Sequence, residues 1–122
     1  MFKSGTSLTR KFIGNNPEVF ASLETNWFYL DQHFKNKNFN TYNIVKQWSA
    51  FFNIEQELIS KIISISTSSE ETLDNLMKLL LKENNHKEWC DKSPPNISYG
   101  KRIFNFWPDS KLIHIIRDPF DI

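Results

Sequence analysis

The chain has 122 residues, the size of one domain or part of one, and a formal net charge of +1. Such a small net charge attracts neither nucleic acid nor a membrane surface, and we expect neither as a partner. The apolar runs are much shorter than the roughly 20 residues that a membrane-spanning helix needs, so no membrane segment is predicted. The single cysteine, Cys90, excludes an internal disulfide and favours a reducing compartment, the cytoplasm.

The first motif is suited to binding an anion. Lys3-Ser4-Gly5-Thr6-Ser7-Leu8 leads into a helix predicted at 7–14. Gly5 permits a tight turn, and the amides and dipole at a helix start favour an anion. The alternative is an ordinary capped helix after a glycine turn. The motif lacks the G-x-x-x-x-G-K-[ST] pattern, so a Mg²⁺-dependent phosphate loop is not indicated.

A short extended segment is predicted after this helix. Gly14 or Asn15 is expected to end the helix in a left-handed conformation, because Pro17 prevents its continuation. The extended segment covers 19–21. Residues 26–34 are ambiguous, and 35–40 are predicted to be a polar loop.

A helical segment is predicted over 41–84. Its first helix covers 41–52, and Asn53 is expected to begin the next helix. Ser68 and Glu71 have the spacing of a capping box before the third helix. Apolar residues at helical spacing predict a packed face on each helix. They are Ile44, Val45, Trp48 and either Phe51 or Phe52, then Leu58, Ile62 and Ile65, and then Leu73, Leu76, Met77, Leu80 and Leu81.

The last third is predicted to end in a buried strand. An extended segment at 89–92 precedes a helix at 97–106, a turn, and a strand at 111–116. The strand is apolar on both faces, which is typical of the centre of a parallel sheet, and His114 is interpreted as a core residue. Because such a sheet needs further strands, we expect the chain to be truncated at both ends. No His/Cys cluster has metal-ligand spacing, so no metal is predicted.

Four patches in order resemble the sulfotransferase superfamily, especially bacterial sulfotransferase-domain proteins and tyrosylprotein sulfotransferases. The first is the 3–8 motif, which looks like the family's 5′-phosphosulfate loop. Asn16-Pro17-Glu18-Val19 and Trp89-Cys90-Asp91-Lys92-Ser93-Pro94 are similar to two further family segments. The segment 106–119 resembles the family's 3′-phosphate strand and loop. Glu24-Thr25 falls where the tyrosylprotein enzymes have their catalytic base.

The resemblance implies a donor, 3′-phosphoadenosine 5′-phosphosulfate, and a site without metal. Glu24 would accept the proton of the acceptor hydroxyl, Lys92 would stabilise the sulfuryl group, and Lys3 would neutralise the leaving phosphate. Arg117 would bind the 3′-phosphate, within a strand and loop at 111–121. The 5′-phosphosulfate would be held by Lys3, Ser4, Gly5, Thr6, Ser7 and Leu8.

The implied fold is α/β, a P-loop-like sulfotransferase domain over 1–122 with a parallel central sheet flanked by helices. The acceptor class stays open between protein tyrosine, carbohydrate and small molecule. Without the family, Glu24 and Lys92 would be ordinary surface charges, and Arg117 with Asp118 a local ion pair. Two other functions stay open: a nucleotide-dependent phosphotransferase, and a non-catalytic helical fragment that binds a partner through its leucine stripe.

Overall fold

The computed structural model describes residues 5–29, 41–116 and 118, and for 41–43 the backbone alone. The predictions for Lys3, Ser4, Arg117 and the 35–40 loop lie outside these residues. The chain divides into two compact units. We call Met1–Asn26 with His86–Ile122 the sheet unit, and Trp27–Asn85 the helical unit.

The sheet unit contains a helix, α1 (Thr6–Gly14), and two strands, β1 (Val19–Ser22) and β2 (Glu88–Asp91). β1 and β2 are parallel, with Val19 opposite Glu88 and Ser22 opposite Asp91. A 3₁₀ helix (Pro94–Tyr99) and helix α5 (Gly100–Phe106) follow β2. In the part of the chain that the structure describes, the sheet has these two strands. The mixture of helices with a parallel strand pair is compatible with the predicted α/β class.

The end of α1 differs from the prediction. Gly14 is the last helical residue, and Asn15 keeps right-handed backbone angles, so no left-handed cap forms. Gly14 instead lies close to the sheet, and a Cβ built on it would be 3.1 Å from the Cβ of Ala21 in β1, a tight contact. α1 therefore packs closely on β1, with the Arg10 guanidinium donating a 3.2 Å hydrogen bond to the Ala21 carbonyl.

The helical unit contains α2 (Thr41–Phe52), α3 (Gln56–Ile65) and α4 (Ser69–Asn84), close to the predicted bounds. α2 packs on α3 and α3 on α4. Trp27 contacts Trp48 of α2, with ring centroids 4.5 Å apart, and its indole N–H donates to the Ser69 carbonyl. Of the stripe predicted on α4, Leu73, Leu76, Met77 and Leu80 are buried, whereas Leu81 is half-buried.

Two details of these helices correct the sequence interpretation. Asn53 is left-handed and ends α2, because the amide of Ile54 bonds to the Ser49 carbonyl as in a Schellman motif. The buried face of α3 is formed by Ile59 and Ile62, whereas Ile65 is 61% exposed. Ile59 and Ile62 are three residues apart and so share one face of the helix.

The start of α4 follows the predicted capping pattern with one change. The Ser68 hydroxyl accepts from the amide of Glu71, as in a capping box. The Glu71 carboxylate reaches back to the amide and hydroxyl of Thr67, at 2.6 Å each, and not to the Ser68 amide. These hydrogen bonds lower the pKa of Glu71.

The prediction of a strand at 111–116 is wrong, because these residues form no strand in the structure. His114 is exposed, and Ile113 and Ile116 are 62% and 82% exposed. Among the described residues, β1 and β2 pair with each other and not with this segment. A strand that is apolar on both faces needs sheet neighbours and covering helices, and the apolar pattern alone does not provide them.

No helix among the described residues is both long enough and apolar enough to span a membrane.

Candidate active site

The site lies at the carboxyl ends of β1 and β2. Because the strands are parallel and Ser22 pairs with Asp91, the chain leaves both strands at the same edge of the sheet. In open α/β sheets, ligands bind outside the carboxyl ends of the strands. Glu24 lies two residues beyond β1, and Lys92 lies directly after β2.

Glu24 and Lys92 form an ion pair between the Lys92 ammonium and one Glu24 carboxylate oxygen. The Lys92 side chain is 15% exposed and that of Glu24 is 42% exposed. The carboxylate can therefore be reached from solvent, while the lysine is held beside it by its surroundings. These are the two residues to which the resemblance assigns the base and the sulfuryl-stabilising cation.

A second set of hydrogen bonds joins the same two segments. The Thr25 amide donates to Asp91 Oδ1 at 3.2 Å, and the Asn26 amide donates to the Ser93 hydroxyl at 2.9 Å. Asp91 Oδ2 accepts from the Asn96 side-chain amide at 2.9 Å. Three consecutive residues after β1 thus contact three consecutive residues at the end of β2.

The local sequence explains why the segment after β2 is extended. Pro94 excludes helical angles for the residue before it, and Ser93 is extended at φ −125° and ψ 110°. The prolines then begin the 3₁₀ helix, whose first turn needs no proline N–H. Lys92, between the last residue of β2 and this extended Ser93, pairs with Glu24 in the segment that follows β1.

The first turn of α1 is a second candidate position, separate in sequence from the Glu24–Lys92 pair. Gly5 is the N-cap residue at φ +89°, and within the described residues no side chain caps the helix start. No acidic residue occurs in the first turn, so nothing on α1 itself opposes an anion there. Thr6 is half-buried, whereas Ser7 and Leu8 are exposed. The amides of this turn and the two hydroxyls are donors suited to a phosphate or sulfate group.

The described part of the chain offers no metal site. No group of three or more His, Cys, Asp or Glu side chains is placed there to hold an ion. Cys90 neighbours Asp91 on β2, and burial, assisted by the Asp91 charge, raises the pKa of its thiol. A thiol with a raised pKa is a poor nucleophile near neutral pH.

Of the sequence-predicted site residues, the structure brings Glu24 and Lys92 together and describes Gly5, Thr6, Ser7 and Leu8 in one helix turn. Lys3, Ser4 and Arg117 lie outside the described residues. Sequence reasoning assigned no role to Asp91 or Ser93. The sequence does contain a signal for them, because Asp91 and Ser93 are polar and flank Lys92 at the end of a predicted extended segment.

Comparison with known proteins gives one family. The model of the sulfotransferase family matches residues 1–122, the whole chain. Searches of curated proteins and of solved structures gave no significant match.

Proposed function

Because this chain belongs to the sulfotransferase family, we propose that it transfers a sulfuryl group from 3′-phosphoadenosine 5′-phosphosulfate to an acceptor hydroxyl or amine. The observation that carries the proposal is the family match across the chain. The ion pair of Glu24 with Lys92 supports the assignment of the reacting groups. The acceptor is proposed only as a class of group, since tyrosine, carbohydrate and small-molecule hydroxyls all meet the chemical requirement.

The residues of α1 fit the donor's 5′ end. A left-handed glycine at the N-cap exposes the first-turn amides, and the hydroxyls of Thr6 and Ser7 add donors. We assign the 5′-phosphosulfate to this turn together with Lys3 and Ser4, and the 3′-phosphate to Arg117. A P-loop-like arrangement of the complete domain is part of the same proposal.

Catalysis would consist of positioning and fixed charge. When bound, the donor supplies the sulfuryl group and departs as the bisphosphorylated nucleotide while its sulfur–oxygen bond to phosphate breaks. The Glu24 carboxylate accepts the acceptor's hydroxyl proton, so that the oxygen can form the new bond to sulfur. The ammonium groups of Lys92 and Lys3 oppose the negative charge on the sulfuryl oxygens and on the leaving phosphate. Arg117 orients the nucleotide.

Donor binding is tested by thermal unfolding of the chain with 3′-phosphoadenosine 5′-phosphate. At about 100 times the dissociation constant, a ligand of the folded state adds about 2.7 kcal/mol. For a domain of this size that corresponds to a shift of Tm on the order of 10 °C. The shift should require the 3′-phosphate and no Mg²⁺. An unchanged Tm would contradict donor binding, and a shift that needs Mg²⁺ would favour a phosphotransferase.

The reacting pair is tested by Glu24→Gln, with Glu18→Gln as its matched control. Glu18 forms an exposed ion pair with Lys87 at the opposite end of the same two strands. Glu24→Gln should lower sulfuryl transfer by roughly a hundredfold or more while leaving nucleotide binding unchanged. Glu18→Gln should change neither. Equal rates for the two variants would exclude Glu24 as the base.

A further inference from the structure

We propose that Asp91 is a positioning residue, which holds the segment after β1 so that Glu24 faces the reaction centre. The proposal rests on the function proposed above in one respect, the role of Glu24 as the base. The anchoring itself is a statement about the contacts of Asp91 and Thr25. It assigns Asp91 no contact with donor, acceptor or reacting atoms.

The contacts of Asp91 converge on the backbone beside Glu24. Oδ1 accepts the Thr25 amide at 3.2 Å, and Thr25 is only 3% exposed. Ser22 Oγ lies 3.3 Å from the same Oδ1 and 2.9 Å from the Leu23 carbonyl oxygen. Because a hydroxyl has one proton to donate, Ser22 donates mainly to the nearer acceptor, the Leu23 carbonyl. The Thr25 amide is therefore the main donor to Oδ1. The Asp91 carboxylate thus restrains the backbone of Thr25, the residue directly after the proposed base.

The other carboxylate oxygen fixes Asp91 itself. Oδ2 accepts from Asn96 Nδ2 at 2.9 Å, in the 3₁₀ helix that follows β2. An ionised carboxylate that is partly buried is costly unless donors satisfy it, and hydrogen bonds to a charged acceptor are the stronger kind. The Asp91 side chain therefore has a defined orientation. One carboxylate oxygen faces the 3₁₀ helix, and the other faces the segment after β1.

A positioned base needs such support because Glu24 lies outside regular structure. Residues 23–26 form neither helix nor strand, and Asn26 is left-handed at φ 49°. Catalytic groups have to be held within about 0.5 Å of their productive positions. The ion pair to Lys92 restrains the carboxylate of Glu24, whereas Asp91 restrains its backbone. Ser93, which accepts the Asn26 amide, extends the same restraint by one residue.

The experiment compares Asp91→Ala and Asp91→Asn with Cys90→Ala in the full chain. Cys90 is the neighbouring residue of β2, its side chain points to the other face of the strand, and it is also half-buried. The first measurement is hydrogen exchange of the Thr25 amide by NMR. The second is kcat and the donor KM of sulfuryl transfer.

We expect Thr25 exchange at least roughly tenfold faster in Asp91→Ala, because its charged acceptor is lost. In Asp91→Asn a neutral oxygen remains, so exchange should rise only about fivefold. Asn96 can turn its side chain to accept from the amide group that Asp91→Asn introduces, since Asn96 Oδ1 is buried and has no hydrogen-bond partner among the described residues. kcat should fall in the same order while the donor KM stays unchanged. Cys90→Ala should leave Thr25 exchange and kcat unchanged.

Thr25 exchange that is unchanged in both Asp91 variants, or equally fast in Cys90→Ala, would overturn the proposal. If Asp91→Ala does not fold, the same test is made by comparing Thr25 exchange and kcat of Asp91→Asn with those of Cys90→Ala. Absence of transfer by the unmodified chain would refute the proposed function and not the anchoring, which Thr25 exchange still decides. Altered exchange with normal kcat would show that the anchoring has no role in catalysis and would also overturn the proposal.

Discussion

At the scale of single residues, Gly5 carries the most specific conformational requirement. Its φ of +89° is accessible to glycine and costly for other residues, although a Cβ there would meet no atom within 4 Å. Gly100 has equally open surroundings but right-handed angles, φ −51° and ψ −45°. The two glycines therefore differ in backbone conformation and not in space, which makes them a matched pair.

We predict that Gly5→Ala lowers the free energy of unfolding by about 1–2 kcal/mol and weakens nucleotide binding. Gly100→Ala should instead stabilise the chain by about 0.5–1 kcal/mol, because alanine is the better helix former. Urea unfolding of both variants measures the difference. Equal effects at the two positions would show that the start of α1 does not require a left-handed residue.

Cys90 gives a pH-dependent prediction. Burial raises the pKa of its thiol, so the folded chain holds this proton more tightly than the unfolded chain. Stability from this group is complete below the ordinary thiol pKa of roughly 8.5 and is lost as the pH rises above it. Unfolding free energies of the unmodified chain and of Cys90→Ala should therefore converge at alkaline pH. A difference that is constant across this range would contradict the prediction.

At the scale of elements, helix ends are decided by individual side-chain contacts. Ser68 satisfies the Glu71 amide at the start of α4, whereas exposed Ser64 bonds back to the Lys61 carbonyl within α3. Asn53 was expected to begin a helix and in fact ends one. Both functions use an asparagine beside an apolar run, so the residue type alone does not distinguish them.

Ser68→Ala should cost about 1 kcal/mol, the usual loss for an N-cap side chain. Ser64→Ala is the control, because its hydroxyl competes for a carbonyl that already belongs to the helix ladder, and we expect a change within about 0.5 kcal/mol. Helicity by circular dichroism during urea unfolding measures both. A loss in Ser64→Ala as large as that in Ser68→Ala would contradict the capping role.

At the scale of the whole molecule, the fully buried hydrophobic side chains among the described residues all lie in the helical unit. The fully buried residues of the sheet unit are polar: Ser22, Thr25 and Ser93. Its large apolar side chains include Leu8 and Phe12, which are 71% and 79% exposed. Stability from apolar burial therefore comes mainly from helices α2, α3 and α4.

Substitutions of two isoleucines test whether apolar burial in the helical unit provides most of the stability. Ile59 of α3 is 1% exposed and Ile116 is 82% exposed. Ile59→Ala should cost about 2–5 kcal/mol, because it removes core contacts and leaves a cavity. Ile116→Ala should stay within about 0.5 kcal/mol of the unmodified chain. A large loss for Ile116→Ala would mean that residues 111–116 are buried in the folded protein.

Features that depend on neighbouring residues are predictable from the local sequence pattern. The 3.6-residue period placed the helices of residues 41–84 and the buried face of α4, and Pro17 and Pro94 marked where segments end. The family match covers the same residues that carry the sequence resemblance. These features follow from a few neighbouring residues, whose preferences act independently of the rest of the chain.

Features that depend on residues far apart in sequence follow from the contacts of the folded chain. Residues 111–116 have the composition of a buried strand, but all of them except half-buried Ile115 are exposed, because a strand exists only where another strand pairs with it. Only the parallel register of β1 and β2 brings the residues around Glu24 to those around Lys92, across 68 positions. The anchoring contact of Asp91 with the Thr25 amide arises from the same register, since no local preference specifies a partner so distant.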